Sequence, residues 1–275
     1  MSLASEFSPS QPLALVGAGK MGGALVAGWL ERGLDPLAVV VVDPSPPPDS
    51  AAILAKAGIA SAPAPPNIVA RVIVVAVKPQ IIGGVLPDLR RMIGPATVVL
   101  SIAAGATLAN LEAGLGPAAI VRSIPNTPAQ VGRGATAAIA NLRVDAACMA
   151  LVTALLEAVG VVAWVDDEAL IDVATAVSGS GPAYVFLLAE CLAEAAAAEG
   201  LPPELAARLA RATVSGAGEL LQQSRLSPAE LRKNVTSPNG TTAAALAILM
   251  SDSGLAPLMR QAVAAARQRS RELSG

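Results

Sequence analysis

Leu13 to Val16 form the first apolar run, LALV, and it is followed at once by glycine. A run this short between breakers predicts a buried strand. Apolar positions then recur at helical spacing from Met21 to Trp29, and Leu37 to Val42 form a second run that ends in Asp43. Strand and helix signals keep alternating. Ser50 is placed to cap a helix over 51–57, stopped by Gly58. Runs at 59–62, 72–77, 97–102 and 119–124 predict strands, with helices near 81–92 and 107–113, the latter capped by Thr107. The β-branched stretch from Val72 to Val77 is unbroken, as expected where helices cover both faces of a parallel strand. Two more strands are expected at 134–140 and 160–165, with a helix near 145–159 between them.

From Asp166 the pattern becomes helical throughout: 168–176, 183–199, 204–223 and 256–273, separated by SGSGP, GLPP, SRLSP and SPNG. The prediction is an α/β chain with an N-terminal Rossmann-like doubly wound sheet and an all-α C-terminal dimerisation domain. The expected divisions are a disordered tail over 1–11, a dinucleotide-binding domain over 12–166, and a helical substrate-binding domain over 167–275.

Composition adjusts this picture in three ways. Hydrophobic residues make up 53% of the chain and aromatics 2%, so alanine, valine and leucine must do most of the packing. The mean hydropathy of +0.59 raises the question of a membrane. However, Glu157 interrupts the stretch 146–165, and Pro182, Glu190 and Glu194 interrupt 173–198. Buried helices of a cytoplasmic, oligomeric protein account for both stretches. The first dozen residues lack the basic and apolar regions of a signal peptide. Alanine-rich, weakly charged helices such as 183–198 make poor solvent-facing surfaces, which predicts a homodimer formed through the helical domain.

Charge and special residues narrow the chemistry. The net charge of −2 gives no reason to expect nucleic acid. Cys148 and Cys191 have no metal-ligand spacing. There is no histidine, which excludes Ser-His-Asp triads and every other imidazole mechanism, and no metal site is expected.

The positive signal is Gly17, Gly19 and Gly22, spaced G-x-G-x-x-G between a strand and a helix, with Asp43 about twenty residues further on. The first glycine serves the turn, the second lets a pyrophosphate approach the backbone, and the third allows helix and strand to pack closely. The helix N-terminus offers free N–H groups to the phosphates. In an open α/β sheet, ligands bind beyond the carboxyl ends of the strands. Residues placed there are Gly17, Gly19, Lys20, Met21 and Gly22; Asp43, Pro44 and Ser45; Ala76, Val77, Lys78 and Pro79; Ala103, Ala104 and Gly105; and Asn126 and Thr127. Lys78 also reads as a solvated strand-end lysine, and Asn126 and Thr127 as turn chemistry after Pro125. The helical domain contributes two polar islands, SGSGPAY at 178–184 and SPNGTT at 237–242. The second precedes a helical run, so its N–H groups and hydroxyls could hold a carboxylate; it could equally be an ordinary N-cap and turn.

Taken in order, GAGKMGGAL, AVKPQ, SIAAG, SIPNTP, VSGSGPAYVF and LRKNVTSPNGTT resemble the motifs of the pyrroline-5-carboxylate reductase family along almost the whole chain. The resemblance implies reduction of 1-pyrroline-5-carboxylate to proline by hydride from NADPH or NADH. It implies substrate contacts at Ser237, Asn239, Gly240 and Thr241, a catalytic role for Thr242 beside the ring nitrogen, and loop shaping by Ser178 and Ser180. It also implies dimers that associate further, often into decamers.

This sequence departs from the family pattern at several positions. Asn239 stands where glycine is usual and is the next most tolerant residue of positive φ. Lys233 replaces an acid. Asp43 replaces a hydroxyl or basic residue and favours NADH, because it can accept from both ribose hydroxyls and would repel a 2′-phosphate. Two other readings stay open here: a β-hydroxyacid dehydrogenase-like reductase, and a dinucleotide-binding regulatory protein without turnover.

Overall fold

Alternation along the strands determines the architecture. Leu13 and Leu15 of β1 (Leu13–Val16) enter one apolar layer, whereas Ala14 and Val16 enter the other. The same division holds in β4 (Val72–Val75), where Val72 and Val74 face one layer and Ile73 and Val75 the other. Strands buried on both faces need helices on both faces. In this computed structural model, which describes residues 3–274, the helices supply them.

The first layer receives Leu25, Val26 and Trp29 of α1 (Lys20–Glu31), Leu54 of α2 (Pro48–Lys56), and Leu151, Val152, Leu155 and Leu156 of α5 (Ala146–Leu156). The second layer receives Leu86 and Leu89 of α3 (Pro79–Leu89) and Leu111 and Leu115 of α4 (Leu108–Leu115). Thr107 caps α4 as expected, its side chain accepting from the Asn110 N–H at 3.1 Å.

The remaining strands are β2 (Val39–Val42), β3 (Ser61–Ala62), β5 (Val98–Ser101), β6 (Ala119–Ile124), β7 (Gly134–Ala140) and β8 (Gly160–Trp164). Their order in the sheet is β3-β2-β1-β4-β5-β6-β7-β8. Every pairing is parallel except β6 with β7. The chain leaves β1 toward β2 and β3 on one side and returns to β4 on the other. The carboxyl ends of β1 and β4 therefore flank the topological switch point, where doubly wound folds bind ligands.

Several local expectations are corrected. The expected disordered tail over 1–11 is folded from Leu3 onward: Leu3 and Phe7 are buried in the first layer, two apolar anchors in a polar segment. Residues 1 and 2 lie outside the described residues. The strand expected to begin at Leu37 begins at Val39, because the Asp35 side chain accepts from the Leu37 N–H at 2.9 Å and caps a short turn, leaving Leu37 exposed. Ser50 does not cap α2. Two prolines start that helix earlier, and the buried Ser50 hydroxyl instead donates to the Gly19 carbonyl at 3.3 Å.

The helical region holds α6 (Ala169–Ala174), α7 (Gly181–Ala198), α8 (Pro203–Gln223), α9 (Pro228–Asn234), α10 (Thr241–Leu249) and α11 (Leu255–Ser274). SGSGP was expected to break the chain between helices; instead a π-helical turn, Thr175–Gly179, follows α6 directly. There the Thr175 and Ser178 hydroxyls donate to the Ile171 and Ala174 carbonyls at 2.7 and 2.9 Å. The helix over 228–234, α9, was not among the ranges expected from the pattern. Ser227 and Glu230 form a capping box at its start, with the Ser227 N–H donating to Glu230 at 2.8 Å.

The described residues divide into two compact units, 3–179 with 267–274, and Ser180–Ala266. The expected boundary lay earlier, at 166/167. In the second unit α8 buries only Ala206 and Ala210, while Phe186, Leu187, Leu220, Ile248 and Met250 are exposed. By length and composition the helical stretch Ala169–Ala198 could cross a membrane, despite the polar residues within it.

Candidate active site

The turn that leaves β1 is shaped by its neighbours. Gly17 has φ +94, its N–H donates to the Val42 carbonyl at 2.9 Å, and a Cβ there would lie 2.7 Å from the Ala76 carbonyl. At Gly22 a Cβ would sit 2.3 Å from the Gly17 carbonyl. Packing inside the protein therefore explains both glycines. Gly19 is different: a Cβ there would meet nothing within 4 Å, and no side chain caps the helix that it starts. The N-terminal N–H groups of α1 and the bare Gly19 backbone together form the cradle a pyrophosphate requires.

Asp43 closes this turn from the end of β2. One carboxylate oxygen accepts from the Ala18 N–H at 2.6 Å and the other from the Ser45 N–H at 2.8 Å. The Asp43 backbone is held in turn, donating to the Ala62 carbonyl at 2.9 Å and accepting from the Ser61 hydroxyl at 2.6 Å. The carboxylate is thus fixed beside the glycine turn. Each oxygen retains acceptor capacity for a further hydroxyl.

A cavity of about 650 Å³ opens at this point, within the usual range for small-molecule sites. Gly17, Gly19, Asp43, Pro44, Ser45, Ala76, Val77 and Lys78 of the expected cofactor residues line it. Lys78 is the one cation in the lining, and Asp43 and Asp88 are the acids. The walls also include Pro63, Ala64 and Pro65 beyond β3, and Ile81, Gly84, Val85 and Asp88 on α3. Sequence reasoning missed these last residues. The i, i+3, i+4, i+7 spacing of the α3 set was the available signal.

The other expected cofactor residues do not line this cavity. Lys20, Met21 and Gly22 lie in the first turn of α1, and Pro79 is the first residue of α3. Ala103, Ala104 and Gly105 follow β5; Gly105 has φ +75, and a Cβ there would lie 3.0 Å from the Leu273 carbonyl. Asn126 and Thr127 follow β6. The Asn126 side chain is committed within the protein. Its amide donates to the Ser178 carbonyl at 2.9 Å, and its oxygen accepts from the Ala135 N–H at 2.8 Å. It therefore ties the 125–128 loop to the π-helical turn and to β7.

In the second unit, Ser237, Asn239, Gly240, Thr241 and Thr242 form the turn into α10. The Gly240 N–H donates to the Ser237 carbonyl at 3.1 Å, and no side chain caps the helix. Asn239 has φ 57, the one positive value at a non-glycine among the described residues. This is the conformation anticipated for asparagine in place of glycine. Ser180 lies at the start of α7. Among the described residues, no group of three or more histidine, cysteine, aspartate or glutamate side chains could hold a metal ion.

Two family profiles match the chain: "Pyrroline-5-carboxylate reductase dimerisation" over residues 168–273, and "NADP oxidoreductase coenzyme F420-dependent" over 12–105. A pyrroline-5-carboxylate reductase from Pseudomonas aeruginosa is 42% identical over 265 residues, covering 95% of this chain and 96% of its own. The structure of a pyrroline-5-carboxylate reductase from Coxiella burnetii superposes with a TM-score of 0.89 at 37% identity, covering 97% of this chain and 99% of its own. The NADP-bound pyrroline carboxylate reductase of Plasmodium falciparum has a TM-score of 0.80 at 29% identity, covering 97% and 99% respectively. The order of motifs, the sheet topology and these full-length similarities agree, and the chain belongs to the pyrroline-5-carboxylate reductase family.

Proposed function

We propose that this protein reduces 1-pyrroline-5-carboxylate to L-proline, the last step of proline biosynthesis, with a nicotinamide dinucleotide as hydride donor. One observation carries the reading: the uncapped α1 N-terminus, the bare Gly19 backbone and the Asp43 carboxylate converge on one cavity at the switch point of the sheet, in a chain of this family. The dinucleotide, when bound, supplies the hydride. Gly17 and Gly19 let its pyrophosphate reach the backbone, with Lys20, Met21 and Gly22 supplying the first turn of α1. Pro44, Ser45, Ala76, Val77, Lys78, Pro79, Ala103, Ala104, Gly105 and Thr127 complete the proposed cofactor site, and Asn126 braces it.

The substrate carboxylate is assigned to the turn before α10, at Ser237, Asn239, Gly240 and Thr241, with Ser178 and Ser180 shaping the site. The helix dipole and the uncapped N–H groups favour an anion at that turn. Thr242 is assigned to the ring nitrogen. Its hydroxyl orients or protonates the imine, so the reaction requires no imidazole or metal ligand from the chain.

Asp43 is assigned to the adenosine ribose, which makes NADH at least as good a substrate as NADPH. The acidic lining, with Lys78 as its one cation, supports that preference. A homodimer through the helical unit is supported by the apolar side chains exposed there and by the match to a dimerisation family; further assembly into a decamer rests on the family resemblance alone. A cytoplasmic location is supported by two free cysteines. The test is oxidation of NADH and NADPH by the purified protein with 1-pyrroline-5-carboxylate. Turnover is expected with both. No turnover with either, despite cofactor binding by calorimetry, would refute the assignment.

A further inference from the structure

We propose that Gly84 sets the width of the adenosine end of the cofactor cavity and thereby the affinity of this chain for the adenosine half of the dinucleotide. The proposal rests on the cofactor reading above. The cavity runs from the glycine turn past Asp43, the residue that by its place in the fold meets the ribose nearest the adenine. The lining beyond Asp43 comes from both sides of β1 in the sheet order. Pro63, Ala64 and Pro65 follow β3, and one face of α3 contributes Ile81, Gly84 and Val85. Apart from Asp88, which shares that face of α3, these walls are apolar, as a slot for a flat base requires.

Gly83 and Gly84 sit together in the middle of α3, where glycine is the least favourable residue after proline. Packing does not call for either of them. A Cβ on Gly83 or on Gly84 would meet no atom within 4 Å, and neither has a positive φ. The two differ in one respect: Gly84 lines the cavity and Gly83 does not. A helix that gives up stability at a cavity wall, with nothing inside the protein to gain, keeps that space open for a ligand.

The experiment measures binding of ADP-ribose, which retains the adenosine half of the dinucleotide and lacks nicotinamide, by calorimetry to wild type, Gly83→Ala, Gly84→Ala and Gly84→Leu. Both alanine variants are expected to raise the Tm by roughly 2–4 °C through helix propensity. Gly83→Ala is expected to bind ADP-ribose as wild type does. Gly84→Ala is expected to raise its Kd about fivefold, and Gly84→Leu at least about twentyfold. The Tm rise keeps a folding defect from imitating the result. Binding by Gly84→Leu within about twofold of wild type would overturn the proposal, as would equal losses in Gly83→Ala and Gly84→Ala. Wild-type protein that binds neither NADH nor NADPH would instead remove the cofactor reading, and the proposal with it.

Discussion

Replacing Asp43 with serine separates the two tasks assigned to its carboxylate. One is structural: the oxygens hold the Ala18 and Ser45 N–H groups at 2.6 and 2.8 Å. Hydrogen bonds to a charged group contribute about 1.5–3 kcal/mol each, so Asp43→Ser loosens the glycine turn. That turn is the proposed pyrophosphate site, and NADH and NADPH share the pyrophosphate, so the loss weakens both cofactors equally and cancels in their ratio. The other task is discrimination. A carboxylate about 4 Å from a 2′-phosphate is repelled by roughly 4 kcal/mol at an effective dielectric near 20, and screening at a half-open site reduces this to about 2 kcal/mol. Serine removes the repulsion and one of the acceptors for the ribose hydroxyls of NADH. The ratio of kcat/KM for NADH to that for NADPH is therefore expected to fall at least about thirtyfold, from 2 kcal/mol at 1.36 kcal/mol per decade. The assay is steady-state oxidation of each cofactor at saturating 1-pyrroline-5-carboxylate. A ratio that moves less than about threefold, whatever happens to the separate values, would refute the placement of Asp43 against the ribose.

Four further outcomes are expected. Thr242→Ala lowers kcat/KM at least about tenfold, near 1.4 kcal/mol, and Thr242→Ser recovers most of it; an unchanged value in steady-state kinetics removes Thr242 from the mechanism. Gly19→Ala, with no protein atom within 4 Å of the added Cβ, changes the Tm by less than about 2 °C yet raises the NADH Kd at least about tenfold, measured by thermal melts and calorimetry. Trp29→Phe leaves the buried Leu155 carbonyl, which accepts from the indole N–H at 2.9 Å, without its donor, and opens space in the core. It is expected to cost about 2–4 kcal/mol, read as a lower urea midpoint at unchanged m-value. Phe186→Asp places a charge on the apolar surface of α7 and is expected to shift the protein toward monomer in light scattering; an unchanged mass would exclude that surface from the interface.

The sheet was legible because its signals are local. Most of the eight strands are short apolar runs between glycine, proline and polar residues, and all eight formed near the expected positions. Errors occurred where a side chain bonded somewhere the linear pattern does not show. Asp35 took the Leu37 N–H and shortened β2. Ser50 turned to the Gly19 carbonyl, thirty-one positions away, rather than to its own helix. Leu3 and Phe7 found an apolar layer formed by distant elements, which converted an expected tail into folded chain. Each correction involves a partner far away in sequence, or a choice between local partners that spacing leaves undecided.

The candidate site divides along the same line. G-x-G-x-x-G was readable as a phosphate turn in which the first glycine serves the turn, the second the pyrophosphate and the third the packing of helix on strand, and the contacts of an added Cβ divide the three in the same way. Gly17 and Gly22 answer to the Ala76 and Gly17 carbonyls, whereas Gly19 answers to nothing in the protein. The glycine expected to face the ligand, Gly19, is the one at which an added Cβ meets no protein atom within 4 Å. Asn126 is the converse case. It was expected to contact cofactor, yet its amide is engaged with the Ser178 carbonyl and the Ala135 N–H. In the proposed site it acts through the loop it braces, and an Asn126→Ala change should lower Tm and cofactor affinity together. Gly19→Ala should instead lower affinity alone. The two variants side by side distinguish a residue that touches the cofactor from one that holds the residues that do.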